Sequence, residues 1–342
     1  MDETPVSPIE AAWVDVPAST ANLGPGFDAL GLALELRLRV TMRWVATEGG
    51  PQAWPPALAG LTVTGEGAGR IERGAANRLW QAAQAVFGRI EAPSWARGRA
   101  VEVEAHNAIP VGAGLGSSAA AAVAGLWAAN ALAGSPLSYG TLLEMAAAME
   151  GHADNAAAAA LGGLVVARRG RTGAVTAIRV PLPRGELVAA LAVPDFALPT
   201  ERARRVLPAT VSREDAVFNV GGASLTVAAL TTGRFEVLAE AMADRLHQPH
   251  RSALVPGLDA AMEAAVVAGA YGAALSGAGP SVVALCPSHR GDEVAVAMAG
   301  AMSRNGLQVR AMVLPVATEG ARLRVRRRAS APGAGGDERE SG

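Results

Sequence analysis

Between residues 34 and 44 the chain reads LELRLRVTMRW, a strict two-residue alternation. Leu34, Leu36, Leu38, Val40, Met42 and Trp44 fall on one side, and Glu35, Arg37, Arg39, Thr41 and Arg43 on the other. That period predicts a strand with one buried and one solvated face, in an antiparallel sheet. Apolar runs bounded by turn residues predict further strands over 12–18, 61–65, 100–106, 162–168, 187–193, 271–275, 281–286 and 309–315. Alanine-rich stretches with helical spacing predict helices over 77–90, 117–132, 138–149, 153–160, 213–230, 234–243, 257–268 and 292–304. Strands gathered early and interrupted by long helices indicate an α+β protein.

The stretch RRGRTGAVTA (168–177) reads as a polar turn between two strands, and PLPRG (181–185) follows as a breaker. A domain division is expected there, with one unit over 10–168 and a second over 169–328. The last stretch, ASAPGAGGDERESG (329–342), lacks large apolar residues and is expected to be a disordered tail. Arg324, Arg326, Arg327 and Arg328 just before it fit a solvated strand end better than an anion-binding patch. No internal repeat stands out.

Composition narrows the chemistry. Half of the residues are hydrophobic and 18% are charged, enough for a large core. With 30 basic residues against 31 acidic ones, the chain lacks the surplus a general nucleic-acid binder needs. Cys286 is the one cysteine, so neither a disulfide framework nor a cysteine-clustered metal site can form within the chain. The five histidines include no pair at helical H-x-x-x-H spacing. Every basic residue is arginine; there is no lysine. That excludes Schiff-base catalysis, a pyridoxal anchor and a Walker-type phosphate loop. The N-terminal MDETPVSPIE is acidic, unlike a secretory leader. The longest apolar stretch, 119–134, has 16 residues and contains Asn130, short of the ~20 that span a bilayer. A cytoplasmic protein without membrane contact is expected.

Three glycine-rich loops carry the chemical signal. In IPVGAGLGSSAAAAVAGLWAAN (109–130), Gly112, Gly114 and Gly116 free the backbone to curl before Ser117 and Ser118 open a long helix. Unpaired N–H groups and the positive end of a helix dipole then point at one spot, which suits a phosphate. A glycine turn with a serine N-cap fits the same residues. Gly114, Gly116 and Ala119 satisfy G-x-G-x-x-[GA]. However, no acid occurs between Ala119 and Glu144, where a dinucleotide fold needs one for the ribose. The loop VPASTANLGPGFDALGLAL (16–34) carries Ser19, Asn22 and Asp28 among glycines, and LSGAGPS (275–281) exposes Gly277 and Gly279. Each alone fits an ordinary turn.

Taken together, the loops resemble the three signature motifs of the galactokinase, homoserine kinase, mevalonate kinase and phosphomevalonate kinase (GHMP) superfamily. The P-x-x-x-G-L-G-S-S-A-A motif matches from Pro110 to Ala120. PASTANLGPGFDALGLAL, EGHADNAAAAALGG (150–163), TERARRVLPATVSREDAVFN (200–219) and DRLHQPHRSALVPG (244–257) resemble the homoserine kinase version. Ala153 departs from that pattern, standing where the family usually has proline; His152, Asp154 and Asn155 remain.

The resemblance implies a two-domain GHMP kinase fold, with an N-terminal domain like domain 2 of ribosomal protein S5 and a ferredoxin-like C-terminal domain. It implies transfer of phosphate from ATP, with Mg²⁺, to the hydroxyl of L-homoserine in threonine biosynthesis, by a cytoplasmic homodimer. ATP is expected over Pro110, Val111, Gly112, Ala113, Gly114, Leu115, Gly116, Ser117, Ser118, Ala119 and Ala120, with Asn77 touching the nucleotide. Glu144 and Ser118 are the expected magnesium ligands, with Ser117 the alternative serine. Asn22, Asp28, His152, Thr200, Arg204, Arg251 and Gly277 are expected around the substrate, the two arginines on its carboxylate. Asn155 is expected near the γ-phosphate, and no residue is expected to act as a dedicated base. A mevalonate-type kinase is disfavoured by the missing lysine, and a non-catalytic sensor by the intact loops.

Overall fold

The computed structural model describes residues 8–47, 54–183 and 187–328. Two sheets organise them. The first contains β1 (Ile9–Ala21), β2 (Leu30–Ala46), β3 (Leu58–Gly65), β4 (Arg99–Asn107), β5 (Leu164–Arg169), β6 (Val175–Val180) and β11 (Arg322–Arg327). Its strand order is β11-β1-β2-β4-β3, with β5 pairing the start of β2 and β6 pairing β5. All pairs are antiparallel except β3 with β4.

The alternation in β2 holds through Leu38, Val40, Met42 and Trp44, which are buried. It breaks at Arg37, which is 8% exposed despite its place on the polar side. Opposite Pro17 and Ala18 the register jumps from Arg37 to Leu34, and this bulge turns Arg37 inward. There it bonds Glu35 and the Glu319 carbonyl, so its charge is compensated.

Helices α1 (Arg78–Phe87), α2 (Ser117–Leu132), α3 (Tyr139–Glu150) and α4 (Asp154–Leu161) belong with the first sheet, with α2 and α4 against β1 and β2. Alanine lets α2 sink into the interior: it is buried all round after Ser118 except at Ala121. The second sheet runs β10-β7-β9-β8, from β7 (Leu187–Pro194), β8 (Gly272–Leu275), β9 (Val282–Pro287) and β10 (Val309–Pro315). Between β7 and β8 lie α5 (Thr200–Arg205), α6 (Arg213–Thr232), α7 (Leu238–Ala241), α8 (Gln248–Arg251) and α9 (Leu258–Val267); α10 (Gly291–Ser303) joins β9 to β10. Strand order and crossovers are those of a ferredoxin-like unit.

The expected division at 168/169 does not follow the sheets. Both β6 and β11 lie beyond it, yet both hydrogen-bond into the first sheet. All six residues of β11 are exposed, so its sequence carries no buried face to reveal where it pairs. The helix expected over 234–243 is a 3₁₀ turn, Phe235–Val237, followed by α7. The short α5 and α8 had no periodic signal. The expected tail, 329–342, lies outside the described residues. Among the described residues no helix is long and apolar enough to cross a membrane.

Candidate active site

The three glycine loops meet between the two sheets. Gly112, Gly114 and Gly116 take φ values of 71°, 78° and 68°, a region closed to most side chains. A Cβ on Gly114 would stand 2.3 Å from the Ser276 carbonyl oxygen, and one on Gly116 would stand 2.1 Å from Ser19 Oγ. These close approaches are sealed by hydrogen bonds: Ser276 Oγ donates to the Gly114 carbonyl (2.7 Å), and Ser19 N donates to the Leu115 carbonyl (3.1 Å). Asn22 Nδ2 donates to the Gly277 carbonyl (2.8 Å).

At the N-terminus of α2 the cap is Gly116, and no side chain bonds the first-turn N–H groups. The serine-cap alternative therefore fails: Ser117 and Ser118 lie inside the helix. Free N–H groups at a helix start that opens on a cleft form an anion cradle. Gly112, Ala113, Gly114, Leu115, Gly116, Ser117 and Ser118 line the cleft. Pro110 lines a separate recess, and Ala119 and Ala120 are wholly buried, so they shape the turn without facing a ligand. An adjoining chamber is apolar, walled by Leu61, Val63, Ile71, Leu79, Val111 and Ala121. Asn77 borders it, but its amide is committed. Oδ1 caps α1 at Leu79 N and Trp80 N, and Nδ2 donates to the Glu72 carbonyl.

Glu144 lines neither space. The acid beside Ser118 is Glu150, whose Oε1 accepts from Ser118 Oγ (2.8 Å) and pairs with Arg78 (2.8 Å). Six residues separate the two along α3, which ends at Glu150 beside the loop. Glu150 opens the E-G-H triplet, the signal that singles it out.

The other end of the cleft is strongly charged. Asp28, at φ 56°, sits on the 22–29 turn and accepts two bonds from Arg204, at 3.0 and 2.7 Å. Arg251 is 2% exposed; Nε donates to the Ala203 carbonyl and Nη1 to the Gly277 carbonyl. Burial, and then the neighbouring Arg204 charge, push its pKa down to about 10 against the pull of Asp28, Asp244 and Asp154. Phe27 lies beneath both guanidinium groups, 5.6 Å from Arg204 and 5.4 Å from Arg251.

His152 Nδ1 contacts Asp154 Oδ1. Burial opposes charge on His152, but the bond and charge of Asp154 outweigh it and raise its pKa. Asp154 also accepts from Asn155 N at the start of α4, and Ser19 Oγ donates to Asn155 Oδ1 (2.8 Å), fixing that amide beside Gly116. Thr200 lines the same cleft. Thus Asn22, Asp28, His152, Thr200, Arg204, Arg251, Gly277, Asn155 and Ser118 come together, whereas Glu144, Pro110, Ala119 and Ala120 do not. Phe27 and Glu150 join them unforeseen, Arg78 lines the adjoining chamber, and Ser19, already marked in the 16–34 loop, holds Asn155.

Asp28, His152 and Asp154 each bring one ligand atom to within 4.8 Å of the others. Both Asp28 oxygens already accept from Arg204, and His152 holds Asp154, so this group is compensated without a metal. Ser118 and Glu150 offer hard oxygen donors at the anion cradle and fit Mg²⁺ better.

Known proteins give the same picture. Residues 77–163 match the GHMP kinases N terminal domain and residues 226–304 the GHMP kinases C terminal domain. Homoserine kinase of Moorella thermoacetica is 43% identical over 309 residues, covering 90% of this chain and 98% of its own length. That of Desulfitobacterium hafniense is 41% identical, over 90% of this chain and 98% of its own length. The crystal structure of homoserine kinase from Cytophaga hutchinsonii superposes with a TM-score of 0.77 at 28% identity, covering 94% of this chain and 99% of that one. Mevalonate diphosphate decarboxylase from Staphylococcus aureus shares the fold, with a TM-score of 0.63 at 16% identity over 92% and 98% of the two chains. With both domain models matched in order, and with relatives above 40% identity along nearly their whole length, the chain belongs to the homoserine kinase family of the GHMP kinases.

Proposed function

We propose that the chain transfers the γ-phosphoryl group of ATP to the side-chain hydroxyl of L-homoserine, giving O-phospho-L-homoserine for threonine biosynthesis. One observation carries this reading: a single cleft joins the bare N-terminus of α2 to an Asp28–Arg204 pair backed by Arg251. The first suits phosphates and the second suits the opposite charges of an amino acid.

Backbone N–H groups of the 112–118 loop hold the phosphates, and the apolar chamber beside Leu79 and Val111 takes the base. Arg204 and Arg251 receive the carboxylate, Asp28 and Asn22 the ammonium, and His152 and Thr200 the hydroxyl end, while Gly277 shapes the wall. Ser118 and Glu150 would hold Mg²⁺, which offsets charge on the phosphates when bound with ATP. Asn155, steadied by Ser19, faces the transferred group. No free base serves the hydroxyl: Asp28 is engaged by Arg204, and Asp154 by His152 and Asn155 N. Acceleration comes from alignment and charge, and the hydroxyl proton leaves late, onto an oxygen of the transferred phosphoryl group, as a loose phosphoryl transition state allows. The same reading makes the protein a cytoplasmic homodimer, so sedimentation should give twice the 34.5 kDa of one chain.

The test is ADP release with Mg-ATP and a panel of alcohols, with ³¹P NMR of the product. L-Homoserine should give ADP and a phosphomonoester. 3-Aminopropan-1-ol, which lacks the carboxylate, should be at least tenfold poorer in kcat/KM. No ADP above background with L-homoserine, or equal turnover of mevalonate, overturns the reading.

A further inference from the structure

His247 is fully buried between the two domains and is not among the groups expected to meet substrate. Its Nε2 lies 2.8 Å from the Gly24 carbonyl, an acceptor only, so Nε2 carries the proton. Its Nδ1 lies 3.2 Å from Arg251 Nη1, a donor only, so Nδ1 presents a lone pair. The neutral Nε2–H tautomer alone satisfies both partners. The ring also stacks on Phe27, with centroids 5.1 Å apart. Through three contacts it therefore grips the turn that bears Asp28 and the guanidinium of Arg251.

Its own position is fixed from behind. Asp244, whose side chain is completely buried, accepts from His247 N (2.9 Å), Gln248 N (2.6 Å) and Asn219 Nδ2 (2.6 Å). Arg251 in turn spends Nε on Ala203 and Nη1 on His247 and Gly277, leaving Nη2 without a protein acceptor among the described residues. A guanidinium held on two sides can offer its remaining N–H groups in one direction, which fork recognition of a carboxylate requires.

We propose that His247, as the neutral Nε2–H imidazole, is a positioning residue that aims Arg251 at the carboxylate of the amino-acid substrate and so sets its affinity. The proposal rests on the reading of Arg251 as the carboxylate ligand. His247 touches neither the phosphate loop nor the apolar chamber, so its influence should fall on one substrate alone.

Two near-isosteric substitutions divide its bonds. Asn in His247→Asn can set an amide oxygen close to the Nδ1 position and keep an acceptor for Arg251, at the loss of the bond to Gly24. Gln in His247→Gln reaches the Nε2 position and keeps the donor to Gly24, at the loss of the acceptor. KM for L-homoserine should rise at least tenfold in His247→Gln and less than threefold in His247→Asn, with KM for ATP within twofold of wild type in both. Thermal melting of each variant identifies any that does not fold; the contrast with wild type is then read on the other. Arg251→Leu is measured alongside and should raise KM for L-homoserine at least tenfold, with His247→Gln adding little in the double variant. If Arg251→Leu raises that KM but neither His247 variant does, the positioning role is overturned and the carboxylate reading stands. If Arg251→Leu leaves it unchanged, both fall. Parallel rises in the two substrates' KM values would make His247 a support of the fold only.

Discussion

The two ends of the cleft are built in opposite ways. The phosphate end is one continuous stretch, Gly112–Ser118, and it works through backbone N–H groups, glycine φ values and a helix start. The amino-acid end is gathered from the 22–29 turn, the start of α4, α5, α8 and the 275–281 loop, and it works through charged side chains held by one another. A backbone cradle recognises what every phosphate shares. A side-chain cage can be matched to one molecule, but each member depends on partners far away in sequence. Damage at the first end should therefore be steric and total, whereas damage at the second should be electrostatic and confined to one substrate.

Gly114→Val gives the largest expected effect. The residue would have to adopt φ 78° and drive its Cβ to 2.3 Å from the Ser276 oxygen and 2.8 Å from the Gly279 oxygen. Strain and overpacking together cost roughly 2–6 kcal/mol, a large part of ordinary stability. Loss of detectable activity with a lowered Tm is expected. Gly277→Ala sharpens the contrast, because its Cβ would meet nothing nearer than the Gly114 oxygen at 3.4 Å. Only the left-handed backbone is penalised there, by about 1–2 kcal/mol, and ATP affinity should survive. Equal damage from both would mean that the clamp between the loops is unimportant.

Asp28→Asn breaks the other end. A neutral amide cannot accept the fork of Arg204, and it leaves Arg204 and the buried Arg251 with less compensation. A charged hydrogen bond is worth about 1.5–3 kcal/mol, so KM for L-homoserine should rise roughly ten- to a hundredfold. KM for ATP should stay within threefold. A matching rise for ATP would erase the distinction between the ends.

The same contrast governs what the sequence makes legible. The strands with alternating or apolar runs and the long helices lie within a few residues of their expected bounds, α2 at Ser117–Leu132 among them. A strand with no buried face gives no such signal, and β11 is one; its pairing with β1 is settled by tertiary contact alone. The phosphate loop is readable because its geometry is local. The arginines are readable only through resemblance to a family, since nothing in TERAR or HQPHR tells that Arg204 meets Asp28 across 176 positions. At Glu144 the two kinds of reading part: the count from the histidine points to Glu144, whereas the acid that bonds Ser118 is Glu150 at the helix end.

Glu150→Gln against Glu144→Gln turns that difference into a measurement, with a moderate effect. An amide is a poorer ligand for a hard cation and cannot pair with Arg78, so Glu150→Gln should lower kcat about tenfold and raise the magnesium needed for half-maximal rate. Glu144→Gln should remain within twofold of wild type in both. The reverse order would restore Glu144 to the site and require α3 to end differently around ATP.

The smallest effect is a pH dependence, and it reaches the amino-acid end alone. Burial above all, with the Arg251 charge, lowers the pKa of His247, while Asp244, the Gly24 carbonyl and Asp28 act against that shift. In the unfolded chain a histidine titrates near 6.5. Below that pH the unfolded state takes up a proton that the folded state resists, so the contribution of His247 is present above about 6.5 and is lost as pH falls toward the folded value. The slope cannot exceed about 1.4 kcal/mol per pH unit for one proton. Asparagine carries no such proton, so the Tm gap between wild type and His247→Asn should narrow by a few degrees between pH 7.5 and 5.5. The wild-type KM for L-homoserine should climb only where pH falls through the folded value and a protonated Nδ1 turns from acceptor to donor against Arg251, while KM for ATP stays level. A gap that widens on acidification would mean that the folded protein welcomes the proton. In that case the Nε2–H tautomer could not be what holds Arg251.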